Sequence, residues 1–139
     1  MFSSTGVKDS LAAVRESGVF AVNIVEEAML QVMSDTSRHF PRGTDEFAAC
    51  GVATAECDSI DCPRVAGAPA TLECRVTEVI ALLGAEDFMV LGEVVGIHLR
   101  DDCLKGGRFD VTAFNPVARL GYRDYTIVRE VITLDRPDD

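Results

Sequence analysis

Two long strand-like segments, Thr71–Leu83 and Phe88–Leu99, follow one another along the chain and restrict its fold more than any other feature. Apolar and polar residues alternate at the start of the first segment, which is the pattern of a strand with one covered face. The covered face is predicted to carry Leu72, Cys74 and Val76, and the opposite face Glu73, Arg75 and Thr77. Between the segments, Gly84-Ala85-Glu86-Asp87 favours a turn. Because strand follows strand without a helix between them, an antiparallel sheet is favoured over a doubly wound parallel one.

Shorter elements surround this pair and complete a mainly β (α+β) fold. Gly92 and Gly96 interrupt the second segment and predict bulges or a tightly curved barrel wall. A first helix is predicted to be capped at Asp9-Ser10 and ended by Gly18, and a second to run from Glu26-Glu27 to about Ser34. Short helices are predicted at Thr44–Ala49, with Thr44 or Asp45 as the cap, and near Val111–Phe114. Strands are predicted over Val19–Val25 and, before a polar tail at 136–139, over Tyr125–Leu134. The pattern predicts one domain, residues 1–139, built as a curved antiparallel barrel with short helices outside.

The charge of the chain limits its partners. Its 13 Lys and Arg against 23 Asp and Glu give a formal net charge of −10. Such a chain repels phosphate backbones and anionic lipid surfaces, so neither nucleic acid nor a membrane is expected as a partner. No apolar run reaches the roughly 20 residues that span a bilayer, and Met1–Gly6 does not resemble a signal peptide. We therefore expect a cytoplasmic location.

Metal and nucleophile chemistry receive little support from the residue types. The five cysteines, an odd number, predict free thiols, and the two histidines, His39 and His98, are far apart. No metal site is predicted, since Cys57 and Cys62 lack zinc-knuckle spacing. His98 is expected to be a surface or barrel-mouth residue, and a reactive Cys57/Cys62 pair is a minor alternative. Without a nucleophile elbow, a zinc-protease motif or a phosphate loop, any chemistry would come from a cofactor, and no catalytic residue is predicted.

The segment Gly6-Val7-Lys8-Asp9-Ser10 is the most informative candidate site. A glycine turn leads into a helix start that carries an ammonium and a hydroxyl. Free backbone N–H groups, the positive end of the helix dipole, Lys8 and Ser10 together suit a single phosphate group. The alternative is a capped helix with a solvated lysine, because such caps are common.

Several segments in the same order resemble the flavin reductase-like family of FMN-binding split barrels. They are Gly6–Leu11, Glu16–Asn23, Phe40–Phe47, Pro63–Ala66 with Pro69–Cys74, Leu91–Val95 with His98, and Pro116–Gly121 with Tyr125. Ser10 stands where this family commonly has Thr, which keeps the hydroxyl, and Tyr122 stands where a second glycine is common. The resemblance implies an antiparallel Greek-key split β-barrel with short flanking helices. It also implies that the chain is shorter at its N-terminus than typical members and lacks their first strands.

The resemblance further implies a function. Family members bind FMN, usually as homodimers with the flavin near the subunit boundary, and many transfer hydride from NADH or NADPH to flavin. Carried onto this chain, Lys8 and Ser10 would contact the FMN phosphate, with Asp9 mainly a cap. Ser3, Ser4 and Thr5 would add hydrogen bonds. The Phe40–Phe47 loop and the Arg119 to Tyr125 segment would lie near the flavin ring.

Two alternatives stay open from the sequence. One is a non-catalytic split-barrel dimer that holds flavin weakly or not at all. The other is an unrelated small α+β binding module in which Lys8 belongs only to a helix start. We expect a yellow protein if the chain is the flavin-binding oxidoreductase, and a colourless protein under either alternative.

Overall fold

The central feature of the fold is the predicted antiparallel pair of long strands. A computed structural model describes residues 1–84 and 86–137. In it β5 (Ala70–Ala81) pairs with β6 (Asp87–Leu99) along nearly its whole length. The connecting turn falls where the sequence predicts it, although Ala85 within that turn lies outside the described residues. β1 (Phe2–Thr5) adds to β6 and β2 (Val19–Asn23) adds to β5, giving the strand order β1-β6-β5-β2 with every neighbour antiparallel.

Two glycines of β6 accompany irregularities that bend this sheet. The pairing register shifts between Glu73 and Cys74, opposite Gly96, and again between Val76 and Glu78, opposite Gly92. A side chain at Gly92 would collide with the Phe20 ring, since a Cβ there would lie 2.7 Å from two ring carbons. The bulges predicted from these glycines are confirmed, and they increase the local twist that curls the sheet.

One face of the sheet forms the core by packing against α1 (Asp9–Ser17). The buried cluster consists of Leu11, Val14, Phe20, Cys74 and Val90. Leu11 and Val14 are three residues apart and therefore share one side of the helix. Burying an aliphatic side chain of this size contributes about 1.5–3 kcal/mol. Gly18, at a φ of 71°, ends the helix as the left-handed C-cap that the sequence predicts, and its N–H donates to Val14 O at 2.9 Å.

The remaining elements are short and lie around the sheet. They are α2 (Leu30–Thr36), α3 (Glu46–Cys50), β3 (Thr54–Glu56) paired with β4 (Pro63–Val65), β7 (Leu104–Lys105) paired with β8 (Arg108–Phe109), β9 (Val117–Gly121) paired with β10 (Asp124–Ile127), and 3₁₀ turns at Glu27–Met29, Asp101–Cys103 and Val111–Ala113. α1 is the longest helix at nine residues, and none within the described ranges is long and apolar enough to cross a membrane. Asp45 caps α3 by accepting from the N–H groups of Phe47 and Ala48 at 3.0 and 3.2 Å, as predicted.

The predicted last strand, Tyr125–Leu134, is wrong in its extent. β10 ends at Ile127, which pairs with Val117, the first residue of β9. The next residue on the partner side is Pro116, whose carbonyl accepts from Val128 N–H at 2.9 Å but which has no N–H to continue the ladder. Residues 128–137 are therefore irregular, apart from a turn at Pro137, and the last two residues of the predicted tail, Asp138 and Asp139, lie outside the described residues. β2 likewise ends at Asn23 rather than Val25.

Two adjacent glutamates attach distant parts of the chain to the same point. Glu26 accepts two hydrogen bonds from Arg100, just beyond β6, at 2.8 and 2.9 Å. Glu27 accepts two from Arg129 in the irregular C-terminal segment, at 3.0 and 2.6 Å. Asn115 also donates to Glu27, at 3.2 Å. The segment from Arg100 to Arg129 is thus fixed at both of its ends to the start of the Glu27–Met29 turn.

Part of the core face of the sheet remains uncovered. Val94, Ile97 and Leu99 lie opposite Cys74, Leu72 and Ala70, so they project from the same face as those core residues. Ile97 and Leu99 share this face by ordinary alternation, and the register shift between Glu73 and Cys74 brings Val94 onto it as well. They are nevertheless 45%, 62% and 42% exposed. The described chain therefore forms a curled half-barrel with an apolar stripe, defined here as Val94, Ile97 and Leu99.

Candidate functional site

The start of α1 is shaped by the glycine turn that the sequence singled out. Gly6 has a φ of 82°, a conformation that favours glycine, and its N–H donates to Glu86 O at 2.7 Å. Ser4, at the end of β1, donates through its hydroxyl to Gly6 O at 3.0 Å. Lys8 then occupies the N-cap position in extended conformation, and Asp9 is the first helical residue. The prediction that Asp9 caps this helix is wrong, because Asp9 already has helical geometry and cannot fold back onto the first turn.

A cleft of about 460 Å³ opens between this helix start and the segment that follows α2. Its cationic and hydroxyl groups come from both sides, with Lys8 and Ser10 on α1 and Ser37, Arg38 and His39 opposite. Arg38 is held there by a hydrogen bond from its Nε to Asp35 O at 3.1 Å. Two carboxylates, Asp9 and Glu46, also line the cleft. A negatively charged group would thus meet cations, hydroxyls and a helix N-terminus together.

A second cleft of about 510 Å³ adjoins the first along α1. Asp9, Ser10 and Glu46 line both clefts, so the two are continuous around the helix start. The outer wall of the second is residues 42–47, which belong to the Phe40–Phe47 loop predicted to lie near a flavin ring. The structure therefore brings Lys8, Asp9, Ser10 and this loop together.

The other predicted binding residues do not line either cleft. Ser3, Ser4 and Thr5 lie in β1, which leads into the glycine turn. Arg119 and Tyr125 lie on the β9–β10 hairpin and contact each other, with 2.9 Å between Arg119 Nη1 and Tyr125 Oη and the guanidinium 5.1 Å from the ring centre.

A buried polar cluster on the other face of the sheet was not predicted. Glu73, expected on the open face of its strand, is fully buried because residues 57–62 fold over it. Its carboxylate accepts from the N–H groups of Asp58 and Ser59 at 2.8 and 2.6 Å, and from His98 Nε2. Burial opposes ionisation of Glu73, but these hydrogen bonds outweigh it and lower its pKa to about 2. The carboxylate thus stays charged and joins β5, β6 and the 57–62 segment.

The cysteines are all free thiols, as predicted. Cys74 and Cys103 are buried and act as small apolar groups. Burial, together with the nearby Glu73 carboxylate, raises the pKa of Cys57 to about 11, and burial also raises that of Cys62. Such thiols are protonated at neutral pH, which argues against a reactive pair.

A curled antiparallel half-barrel, packed on a short helix whose first turn opens into a cleft, defines a split-barrel fold. The chain belongs to the flavin reductase-like family, because the profile described as Flavin reductase like domain matches residues 1–121. This confirms the resemblance found in the sequence.

Individual relatives agree with this assignment. The chain is 36% identical over 133 residues to an uncharacterised protein of Deinococcus radiodurans, covering 93% of this chain and 58% of that protein. It is 31% identical to the uncharacterised protein BH2278 of Halalkalibacterium halodurans, covering 94% and 64%. The chain thus spans about three fifths of the length of these curated relatives.

Solved structures show the same architecture. The 2-nitrobenzoate 2-nitroreductase NbaA of Pseudomonas fluorescens superposes with a TM-score of 0.85 at 28% identity, over 97% of this chain and 67% of that one. Nitrilotriacetate monooxygenase component B of Bacillus cereus gives a TM-score of 0.87 at 25% identity, over 95% and 69%. Flavoredoxin of Desulfovibrio vulgaris shares the fold with a TM-score of 0.82 at 20% identity, over 95% and 72%.

Proposed function

We propose that this chain binds FMN with the phosphate in the cleft between Lys8 and Arg38, and acts as an oxidoreductase of the flavin reductase type. The observation that carries the proposal is the gathering of Lys8, Ser10, Arg38 and the N-terminus of α1 around one cleft in a chain of net charge −10. Membership of the flavin reductase-like family supports a flavin as the ligand.

The donor set fits a single phosphate better than a larger anion. Two cations, the hydroxyl of Ser10 and the first backbone N–H groups of α1 can donate. Asp9 and Glu46 line the same cleft and would repel further negative charge. Phosphate contacts for Ser3, Ser4 and Thr5, and flavin contacts for Arg119 and Tyr125, remain predictions.

Bound FMN would supply the redox chemistry by accepting hydride from a nicotinamide nucleotide. The chain's residues would anchor the phosphate and orient the flavin, with the loop that contains Arg42 and Thr44 shielding the adjoining cleft from water. No acid or base is required of a side chain. The similarity to proteins named as a nitroreductase and a monooxygenase component supports a redox role.

We further propose that the chain works as a cytoplasmic homodimer. The apolar stripe (Val94, Ile97 and Leu99) continues the core face of the sheet and is unfavourable in water. A second copy would cover it, whereas Ile97→Asp should shift the protein to monomer in analytical ultracentrifugation. Wild type that is monomeric at micromolar concentration would contradict the dimer. Five free thiols support a reducing compartment.

The phosphate site can be tested by comparing FMN with riboflavin, which lacks the phosphate. Removing a charge-assisted bond and a hydroxyl bond should cost about 2–4 kcal/mol, or roughly 30- to 1000-fold in Kd. We therefore expect Lys8→Ala with Ser10→Ala to weaken FMN binding by that factor and to leave riboflavin binding nearly unchanged. Fluorescence titration measures both.

A matched control is Lys105→Ala, which removes a surface lysine paired with Asp110 far along the chain. It should leave both affinities unchanged. If the double variant of Lys8 and Ser10 loses affinity for FMN and for riboflavin by the same factor, the phosphate contact is refuted. A colourless protein that takes up no added FMN would instead favour the non-catalytic split barrel.

A further inference from the structure

The cluster of Asp58, Glu73 and His98 lies apart from the residues that line the proposed flavin clefts. Its three donors come from separate parts of the chain, with Asp58 in the 57–62 segment, Glu73 on β5 and His98 on β6. Their ligand atoms all lie within 4.8 Å of one another, and Asp58 Oδ2 is 4.0 Å from His98 Nε2. This set of one imidazole and two carboxylates is a ligand combination for a borderline divalent ion.

We propose that Asp58, Glu73 and His98 form a zinc-binding site that fastens the 57–62 segment to the sheet. The ion would take the place of the proton that His98 Nε2 shares with Glu73 Oε1. That proton would pass through solvent to His98 Nδ1, so the imidazole keeps one N–H and offers its Nε2 lone pair to the metal. This proposal revises the sequence-based expectation of no metal.

The sheet is built to leave room for the Glu73 carboxylate. Gly96 lies directly opposite Glu73 in the β5–β6 pairing, beside a register shift. A Cβ at Gly96 would lie 3.0 Å from the carboxyl carbon and from Oε2 of Glu73, and 3.2 Å from Ser59 Oγ. The glycine and the bulge thus clear the space into which the carboxylate is aimed.

The groups around the cluster suit a bound cation. Asp58 and Ser59 N–H hydrogen bonds fix the orientation of the Glu73 carboxylate, as outer-sphere donors do for metal ligands. Two carboxylates and one imidazole give the cluster a net negative charge, while the nearby Arg75 donates to Ser59 O at 3.1 Å. A divalent ion would neutralise both carboxylates.

Glu73 is fixed, whereas the other two ligands would adjust to admit the ion. Ligands around zinc lie about 2.0–2.2 Å from the ion and so about 3.0–3.5 Å from each other. Glu73 is fully buried and stays in place, whereas His98, now hydrogen-bonded directly to it, would withdraw to that separation. The Asp58 side chain is 86% exposed and free to approach His98 from 4.0 Å. The same exposure provides an entry path and leaves a coordination position for water.

The test is calorimetric titration of ZnCl₂ into the chain of residues 1–139, after dialysis against a chelator and removal of that chelator. Wild type should bind one zinc per chain, and its melting temperature should rise with zinc concentration. Asp58→Asn changes an exposed side chain and leaves the core intact, and it should raise the Kd for zinc roughly 10- to 100-fold or more. His98→Gln should do the same.

The matched control is Asp61→Asn, a carboxylate of the same segment that is outside the cluster. Its zinc affinity should equal that of wild type. The proposal is overturned by wild type that binds no zinc at millimolar concentration, or by equal affinity in wild type and Asp58→Asn. It is also overturned if Cys57→Ser with Cys62→Ser abolishes binding while Asp58→Asn does not, because the thiols would then be the ligands.

Discussion

Replacing Gly92 of β6 with alanine probes the close approach of the Phe20 ring, which reaches across from β2, to the backbone of β6. The new methyl would lie 2.7 Å from the Cε1 and Cζ atoms of the Phe20 ring and 3.1 Å from Arg75 O. Phe20 cannot retreat easily, because it is buried and meets the Phe2 ring edge-on with centres 5.2 Å apart. Overpacking of this kind costs about 1–3 kcal/mol. The alanine recovers about 0.4–1 kcal/mol through the unfolded chain, so the midpoints of the two ranges give a net loss of about 1.3 kcal/mol.

Urea unfolding at one fixed protein concentration measures this loss. A double-mutant cycle with Phe20→Leu identifies its cause, because leucine removes the two ring atoms that meet the methyl. The double variant should then be more stable than the sum of the single changes predicts, by about 0.5–1 kcal/mol or more. Gly67→Ala is the control, since a Cβ there meets nothing within 4 Å and its φ is not left-handed. Additive effects of Gly92→Ala and Phe20→Leu would refute the steric argument.

Two further predictions concern titrating groups. With its pKa raised to about 11 by burial and by Glu73, Cys57 has a thiolate fraction about 100-fold below that of an ordinary thiol. Alkylation at pH 7.5 followed by peptide mass mapping should therefore label it slowly, and labelling at the rate of a free thiol would contradict its burial. Lys105 and Thr112 lower the pKa of Asp110 to about 2, so its contribution to stability is present above pH 4 and is lost as the pH falls from about 4 to 2. Asp110→Asn should flatten the acid limb of the stability curve in that window, and an unchanged limb would show that this pairing is also present in the unfolded state.

Local signals in the sequence predict the elements that local chemistry controls. Gly18 ends α1 and Asp45 caps α3 because a left-handed residue and a short carboxylate act on the adjacent turn alone. The long hairpin and its bulges at Gly92 and Gly96 follow from alternation and from missing side chains. The candidate cleft was predictable in part, since Lys8 and Ser10 are close in sequence to the glycine turn.

Features that depend on distant segments could not be predicted in this way. The alternation placed Glu73 on an open face, and only the folding of residues 57–62 over that face buries it. Arg38 joins Lys8 because α2 returns the chain to the start of α1, a contact without a sequence signal. The predicted extent of the last strand was wrong for a similar reason. Pro116, just before the partner strand β9, ends the hydrogen-bond ladder, and the composition of the last strand itself does not show this.

The ion pair between Glu27 and Arg129 makes the attachment of the C-terminal segment more sensitive to salt than the sheet and α1 are. The sheet and α1 are held by apolar burial, which added salt does not screen. The C-terminal segment is fastened at Arg129, which is more than half exposed, so mobile ions compete directly for that attachment. Rising ionic strength should therefore detach the end of the chain gradually and leave the half-barrel folded, so that this segment has its own equilibrium within an otherwise cooperative protein.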